Sequence, residues 1–465
     1  MCLLLAAGIL ASSAGCSKGS NSQDDKAKGN TASAQASSNA AGPWDKYKPV
    51  DLQGRTITLA YNWQHSPATT AEKLDPKKAT TGEMKDLANM KRIEKKYNCK
   101  IKYINIPYDQ LYKKLTTSVM AGSPCADLIN IASGMVLSAA QANMIQDLDT
   151  VVPASADMFK EKLILHPDKF MGKTYAMSTY DVGTSGAFIG FNRSIIKKLG
   201  MEAPDQLYKE GKWTWDAFEQ IAKAATKDTD GDGKIDQWGF GGIPYCAVSQ
   251  FLASDGGYLL DEPNKKSMLN SPKTIETLDF MNKIYNIDKV AYVKGMTSNW
   301  WSDGGGDAWK NNGNIAMFYC ELYMIPSNPK LKFAVGCVPT PKGPSDTEGK
   351  GWFRCDGGVV IPKGVKDPTT VYEVYEELSD AWNADFKGRD KDAKKWLETS
   401  FSNKDDVNMC IKNSKECYRI DNYNALSEYS LNNCLDAVLK NGKTAAQAVK
   451  QYQQVSQAKV TSSFK

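Results

Sequence analysis

The sequence predicts an α/β protein built as two lobes. Three observations carry that expectation. A chain of 465 residues is longer than one ordinary core organises. Its 42% hydrophobic and 24% charged residues describe a soluble globule. From residue 55 onward, short β-rich runs alternate with segments of helical periodicity. RTITLAY (55–61), with its β-branched residues, reads as the first strand, GEMKDLANMKRIEKKY (82–97) as a helix and CKIKYINI (99–106) as the next strand. Tyr108 to Ala121 follows as a helix and DLINI (127–131) as a strand, with further strands at 173–178 and 187–191. Thr214 is a candidate N-cap, and Trp215 and Phe218 are packing residues of the helix it opens. Val371, Val374, Tyr375, Leu378, Ala381 and Trp382 share one face of a later helix, and Ala445, Ala448, Val449, Tyr452 and Val455 one face of the last. Such stripes are core faces rather than ligand contacts.

The N-terminus reads as a targeting segment. MCLLLAAGILASSAG (1–15) is uncharged and has the length of a secretory apolar region, too short to span a bilayer. Ser13-Ala14-Gly15-Cys16 resembles a bacterial lipobox, with Ser13 in place of the usual Leu and no basic region ahead of it, so Cys16 is the candidate lipidated residue. An ordinary cleavage near Ala14 is the alternative. Residues 17–43 are small, polar and low in complexity, a flexible tether. Of 11 cysteines, nine remain beyond Cys2 and Cys16; the absence of any C-x-x-C and the presence of only His65 and His166 argue against zinc. Spacing leaves disulfides and free buried thiols equally open. A net charge of +5 without a basic stripe argues against nucleic acid. Gly172-Lys173-Thr174 and Gly442-Lys443-Thr444 lack the upstream glycine of a phosphate loop, since Pro167 and Ala437 stand there.

DTDGDGKIDQWG (228–239) crowds four aspartates into nine residues, which would repel one another unless a cation sat among them. Counted from Asp228, carboxylates fall at positions 1, 3, 5 and 9, with Gly233 at 6 and Ile235 at 8, the spacing of a calcium loop. Asp228, Asp230, Asp232 and Asp236 are therefore candidate calcium ligands together with the Lys234 carbonyl, and Ile235 is expected to pin the loop to the core. Position 12 is Gly239 instead of the bidentate Glu, so a ligand is missing or supplied elsewhere. The alternative is a solvated Asp/Gly turn.

The order of motifs resembles the extracellular solute-binding proteins of sugar ABC transporters, the group that includes the maltose-binding proteins. MAGSPCADL (120–128), MGKTYAM (171–177, with Met177 where Pro is usual), GFNRSIIKKLGMEAP (190–204), KWTWDAFEQIAKAAT (212–226), NNGNIAMFYCELY (311–323) and VPTPKGP (338–344) follow the family's order. The resemblance implies a two-lobed, type II periplasmic-binding-protein-like fold with the ligand in a cleft between lobes. It also implies crossings near Met177–Tyr180, near Phe333–Val338 and after the 369–384 helix. The expected partition is a signal peptide (1–15), a lipidated tether (16–50), an N-terminal lobe (51–178 with 339–385) and a C-terminal lobe (179–338 with 386–465).

Aromatics reach 10%, with 11 Trp and 21 Tyr, and several stand in loops beside polar groups. A pyranose offers C–H faces and a rim of hydroxyls, which aromatic rings and carboxylate, amide or guanidinium groups match. Asn62, Trp63, Tyr180, Asp181, Trp300, Trp301, Asp303, Tyr319, Glu321, Tyr323, Trp352, Arg354 and Asp356 are the candidate ligand contacts. The expected function is a monomeric, non-catalytic lipoprotein on the outer face of the membrane that passes a sugar or oligosaccharide to an ABC permease. The rivals are a surface glycosidase or lyase using a carboxylate pair such as Glu321 with Asp356, and a peptide or polyol receptor on the same fold.

Overall fold

Among the described residues the strands fall into two six-stranded sheets, each covered by helices on its faces, and one small hairpin. The computed structural model describes residues 46–61, 79–159, 165–170, 172–179, 187–294, 304–321, 325, 331–347, 353–354, 358–416, 418–419 and 430–464. The first sheet takes β1 (Thr56–Tyr61), β2 (Lys100–Asn105), β3 (Leu128–Ile131), β4 (Leu165–Phe170) and β5 (Lys173–Thr179). The second takes β6 (Ala187–Asn192) and β7 (Trp238–Gly241); β8 (Leu260–Asp261) and β9 (Lys266–Ser267) make a separate hairpin. The second sheet continues with β10 (Ile315–Glu321), β11 (Val335–Val338) and β12 (Phe353–Arg354); β13 (Gly358–Val360) returns to the first, and β14 (Tyr418–Arg419) ends the second.

In the first sheet the order is β2-β1-β3-β13-β5-β4, with β1 parallel to both β2 and β3 and β13 antiparallel to β3 and β5. Parallel strands joined by helices are buried on both faces, so their sequences read as apolar runs. Ile57, Leu59 and Leu128 pack on one side against Ile93, Val371, Tyr372, Val374 and Tyr375, while Ala60, Ile129 and Ile131 pack on the other with Leu111 and Leu115. Helix Thr81–Lys96 opens on a capping box in which Thr80 and Glu83 satisfy each other's backbone N–H.

The second sheet runs β14-β12-β6-β10-β7, with β11 sharing an edge of β6. Thr214 caps helix Trp215–Ala225 through the Ala217 N–H, as expected, and Trp215 and Phe218 are buried in an aromatic cluster with Phe240, Phe251 and Phe280. The Trp215 and Phe280 rings stack at 4.4 Å. In the last helix, Ala445–Ser463, the buried face runs through Ala445, Ala448, Val449, Ser456 and Val460, so Val455, expected on it, is 44% exposed. Among the described residues no helix is long and apolar enough to cross a membrane.

One expected crossing is displaced. Residues 333–338 do not leave the second lobe: β11 pairs with β6, from Val335 opposite Asn192 to Val338 opposite Ile189. The proline-rich stretch after it also stays. Pro339 accepts the Trp213 indole N–H at 2.8 Å, and the Lys342 backbone exchanges hydrogen bonds with Trp213 and Trp215 at 3.0 Å. Lys342, free of the prolines around it, has the N–H that lets an otherwise pairing-poor segment dock. The chain reaches the first sheet only between Arg354 and Gly358, and returns after helix Pro368–Ser379, since Leu397 and Phe401 pack in a second-lobe cluster.

Candidate ligand cleft and acidic loop

β1, β2 and β3 run parallel, and in open α/β sheets ligands bind outside the carboxyl ends of such strands. Asn62 and Trp63 are the residues directly after β1; Tyr180 and Asp181 directly follow β5. These four, with Trp300, Trp301, Asp303, Tyr323, Trp352 and Asp356, lie outside the described residues, as does Cys16; Arg354 is described only as backbone of β12.

Tyr319 and Glu321 fall on β10 and are brought together: the Tyr319 hydroxyl donates to Glu321 Oε1 at 3.3 Å. Their roles differ from expectation in one respect. Tyr319 is 1% exposed and belongs to the aromatic core, where its Cβ approaches Gly242 so closely that a Cβ there would stand 2.5 Å away. Its ring is therefore packing, and Glu321 stands half-buried at the carboxyl end of β10. Beside it, burial pushes the Cys246 thiol up to about 12, with the Glu321 charge adding to the shift. Cys246 stands in the first turn of helix Pro244–Ser254, whose start is marked in the sequence by Gly242-Ile243-Pro244 directly after β7. Tyr108 opens helix Tyr108–Met120 just beyond β2 and is 52% exposed, an aromatic at the carboxyl edge of the first sheet.

The acidic loop is formed as its spacing requires. Asp228 Oδ1 accepts the Gly231 N–H at 2.6 Å and Oδ2 the Gly233 N–H at 2.7 Å, bonds that hold its carboxyl below the usual range. Gly231 and Gly233 carry φ of +82° and +85°, conformations that suit glycine alone. Oxygens of Asp228, Asp230 and Asp236 lie within 4.8 Å of one another, and Asp236 is oriented by the Thr229 N–H and hydroxyl. Asp232, expected among the ligands, instead accepts the Lys234 N–H at 2.8 Å and faces the Lys234 ammonium at 3.6 Å. Ile235 is 42% exposed and does not pin the loop; Gln237 does so, through its side-chain amide on the Ala225 carbonyl at 2.7 Å.

The glycine at loop position 12 has a steric cause. Gly239 lies in β7 against helix Trp215–Ala225, and a Cβ there would stand 2.1 Å from the Ala222 carbonyl oxygen. No glutamate can occupy it while the helix packs so closely. A polar hollow of about 400 Å³ borders Asp236, with Asn192, Lys198, Gln237, Asn314 and Lys332 in its lining. It lies at the amino end of β10, the opposite end from Glu321, so it is separate from the candidate cleft.

Residues 75–404 match the family model of the bacterial extracellular solute-binding proteins. No curated protein matches the chain. Among solved structures, the fold is similar to an ABC substrate-binding protein from Listeria monocytogenes in complex with cycloalternan, at 19% identity and a TM-score of 0.63 over 87% of this chain and 98% of that one. It is also similar to the maltose/maltodextrin-binding domain of Bdellovibrio bacteriovorus bound to maltotriose (17%, TM-score 0.61, 87% and 100% covered). The acarbose-binding GacH receptor of Streptomyces glaucescens gives 17%, 0.59, and 88% and 99%. These likenesses establish the two-lobed solute-binding fold. With the family match covering residues 75–404, which hold every strand of both sheets except β1 and β14, the chain belongs to the bacterial extracellular solute-binding proteins.

Proposed function

We propose that this chain is the capture subunit of an ABC importer, holding a sugar or oligosaccharide between its lobes and delivering it unaltered to a membrane permease. The observation that carries the reading is the family match over residues 75–404. A carbohydrate guest is supported by the cycloalternan and maltotriose held by proteins of similar fold, and by the chemistry of the loop residues. The candidate contacts pair rings with hydroxyl-bridging groups, and Glu321 offers carboxyl oxygens at the end of β10.

Three further features belong to the same proposal. Cys16 carries the lipid, and residues 17–43 tether the globule to the outer face of the membrane, where it works as a monomer. Calcium stabilises the acidic loop: Asp228, Asp230 and Asp236 supply hard oxygen donors already converged, and the Lys234 carbonyl and water complete the set. The ion's role is structural, because the loop adjoins helix Trp215–Ala225 and β7 rather than the carboxyl end of β10.

A thermal-shift panel of mono- and oligosaccharides, with product analysis of each mixture, tests the reading. At least one sugar is expected to raise the melting temperature with no new product formed. Glu321→Gln is expected to weaken that sugar about tenfold or more, the loss of a charged hydrogen bond, while the unliganded variant melts as the parent does. No response to any carbohydrate removes the ligand class, and glycosidic cleavage removes the non-catalytic role.

A further inference from the structure

Seven cysteines lie among the described residues, all as free thiols, and two of them meet. Cys337 on β11 and Cys410 on helix Lys404–Glu416 bring their sulfurs to 3.4 Å, both fully buried. The register of the helix on the sheet enforces this approach. Asp406, one turn before Cys410, accepts the Cys337 N–H through Oδ1 at 3.2 Å, and its carbonyl oxygen lies 3.6 Å from Cys337 Sγ. Arg193 grips the same carboxylate with contacts of 2.7 Å and stacks on Phe191, so the helix cannot slide along the strand. With Asp406 fixed, the residue four positions later projects from the same helix face, and that residue is Cys410.

We propose that Cys337 and Cys410 are joined by a disulfide in the extracellular protein. A sulfur–sulfur bond is about 2.05 Å long, so the pair must close by little more than 1 Å. The oxidant is an external disulfide. Two Cys–SH and one RS–SR give the Cys337–Cys410 bond and two RSH, the electron pair and both protons passing to the released thiols. Burial pushes the Cys337 thiol well up, which suppresses the attacking thiolate in the docked state. Exchange therefore takes place during folding, before helix Lys404–Glu416 seats on β11. Disulfides persist outside the cell, where this family works. The bond would close a loop between positions 73 residues apart, and that loop contains β13 and helix Pro368–Ser379 of the first lobe. Both ends of the excursion into the first lobe would then be tied to the second. Cys320, buried in the same cluster, is the competing partner.

The full chain, refolded from denaturant in oxidised glutathione and then blocked with N-ethylmaleimide under denaturing conditions, tests the proposal by peptide mapping. The peptides bearing Cys337 and Cys410 are expected to appear joined, two hydrogens lighter than their sum, and to separate on reduction. Reductant is expected to lower the melting temperature of the refolded parent and of Cys434→Ala by the same amount, and to leave the Cys337→Ala/Cys410→Ala variant unmoved. Quantitative alkylation of both thiols, or a link from Cys410 to Cys320 or Cys417, overturns the assignment. The peptide map of the parent decides the matter even where the variant fails to fold.

Discussion

Asp255 ends helix Pro244–Ser254 with none of its surface exposed. One oxygen accepts the Ser345 N–H at 2.7 Å, and the other has no hydrogen-bond partner among the described residues. Burial pushes its carboxyl up to about 6; the Ser345 N–H and Lys273 oppose the shift, and the charge of Glu276 adds to it. A carboxyl whose folded value exceeds its unfolded value of 3.8 binds its proton more tightly in the native state. Its contribution is therefore fully present below about 4, declines as pH rises toward 6 and is lost above. Asp255→Asn keeps the acceptor for Ser345 and removes the buried charge. The variant should melt higher than the parent at pH 8, by about 2 kcal/mol in stability, with the difference vanishing toward pH 4. Equal melting temperatures at pH 8 would mean that the charge is solvated. The sequence gives Asp255 no mark, because its burial comes from segments 90 residues apart meeting around it. Tyr319 was misread for a related reason: a tyrosine at a strand end looks the same whether its ring lies in a cleft or against Gly242. Val455 and Ser456 both fit a helical stripe on spacing alone, and only the neighbouring elements select Ser456.

The turns of the acidic loop were legible in the sequence, because its aspartates are close in the chain and it depends on glycines whose conformation no other residue adopts easily. Three of its four aspartates converge, while the fourth is captured by Lys234. Strands β1, β2, β3, β5 and β6 were equally readable from their β-rich runs, whereas β4 was not, because Pro167, Asp168 and Lys169 break any apolar pattern in LHPDKF. The crossing after β12 was not, for proline-rich segments look extended whether they bridge lobes or dock through a few backbone hydrogen bonds such as those of Pro339, Lys342 and Gly343. Calcium should raise the melting temperature relative to chelator. At ten to a hundred times its dissociation constant the gain is about 1.4 to 2.7 kcal/mol. Asp228→Asn should abolish that response and leave sugar binding in place, since Asp228 organises the loop through Gly231 and Gly233 and touches nothing on β10. Identical melting curves in calcium and chelator would mark a vacant Asp/Gly turn.

At the scale of the whole molecule, the described strands place passages of the chain between the sheets between Thr179 and Ala187, between Arg354 and Gly358, and after helix Pro368–Ser379. Connections of this kind permit rotation of one lobe on the other, and a guest favours the closed arrangement only through contacts it gains there. The lobes also touch away from those connections. Val460, near the end of the last helix, and Leu260 of the β8–β9 hairpin pack in a first-lobe cluster, although Ala445, Ala448 and Val449 of the same helix belong to the second-lobe core. Helix Phe386–Leu397 likewise reaches the first lobe through Asp392 on the Gly82 N–H at 3.2 Å and the second through Leu397. Closure must preserve or repack these apolar bridges, so the free protein is biased toward whichever arrangement buries them better. X-ray scattering with saturating sugar should show a smaller radius of gyration than the free chain. Val460→Ala, which removes apolar area from the bridge, should change the free chain's profile more than the liganded one. If a sugar that raises the melting temperature left the scattering profile unchanged, binding would occur within a preformed shape, and rotation of the lobes would have no part in capture.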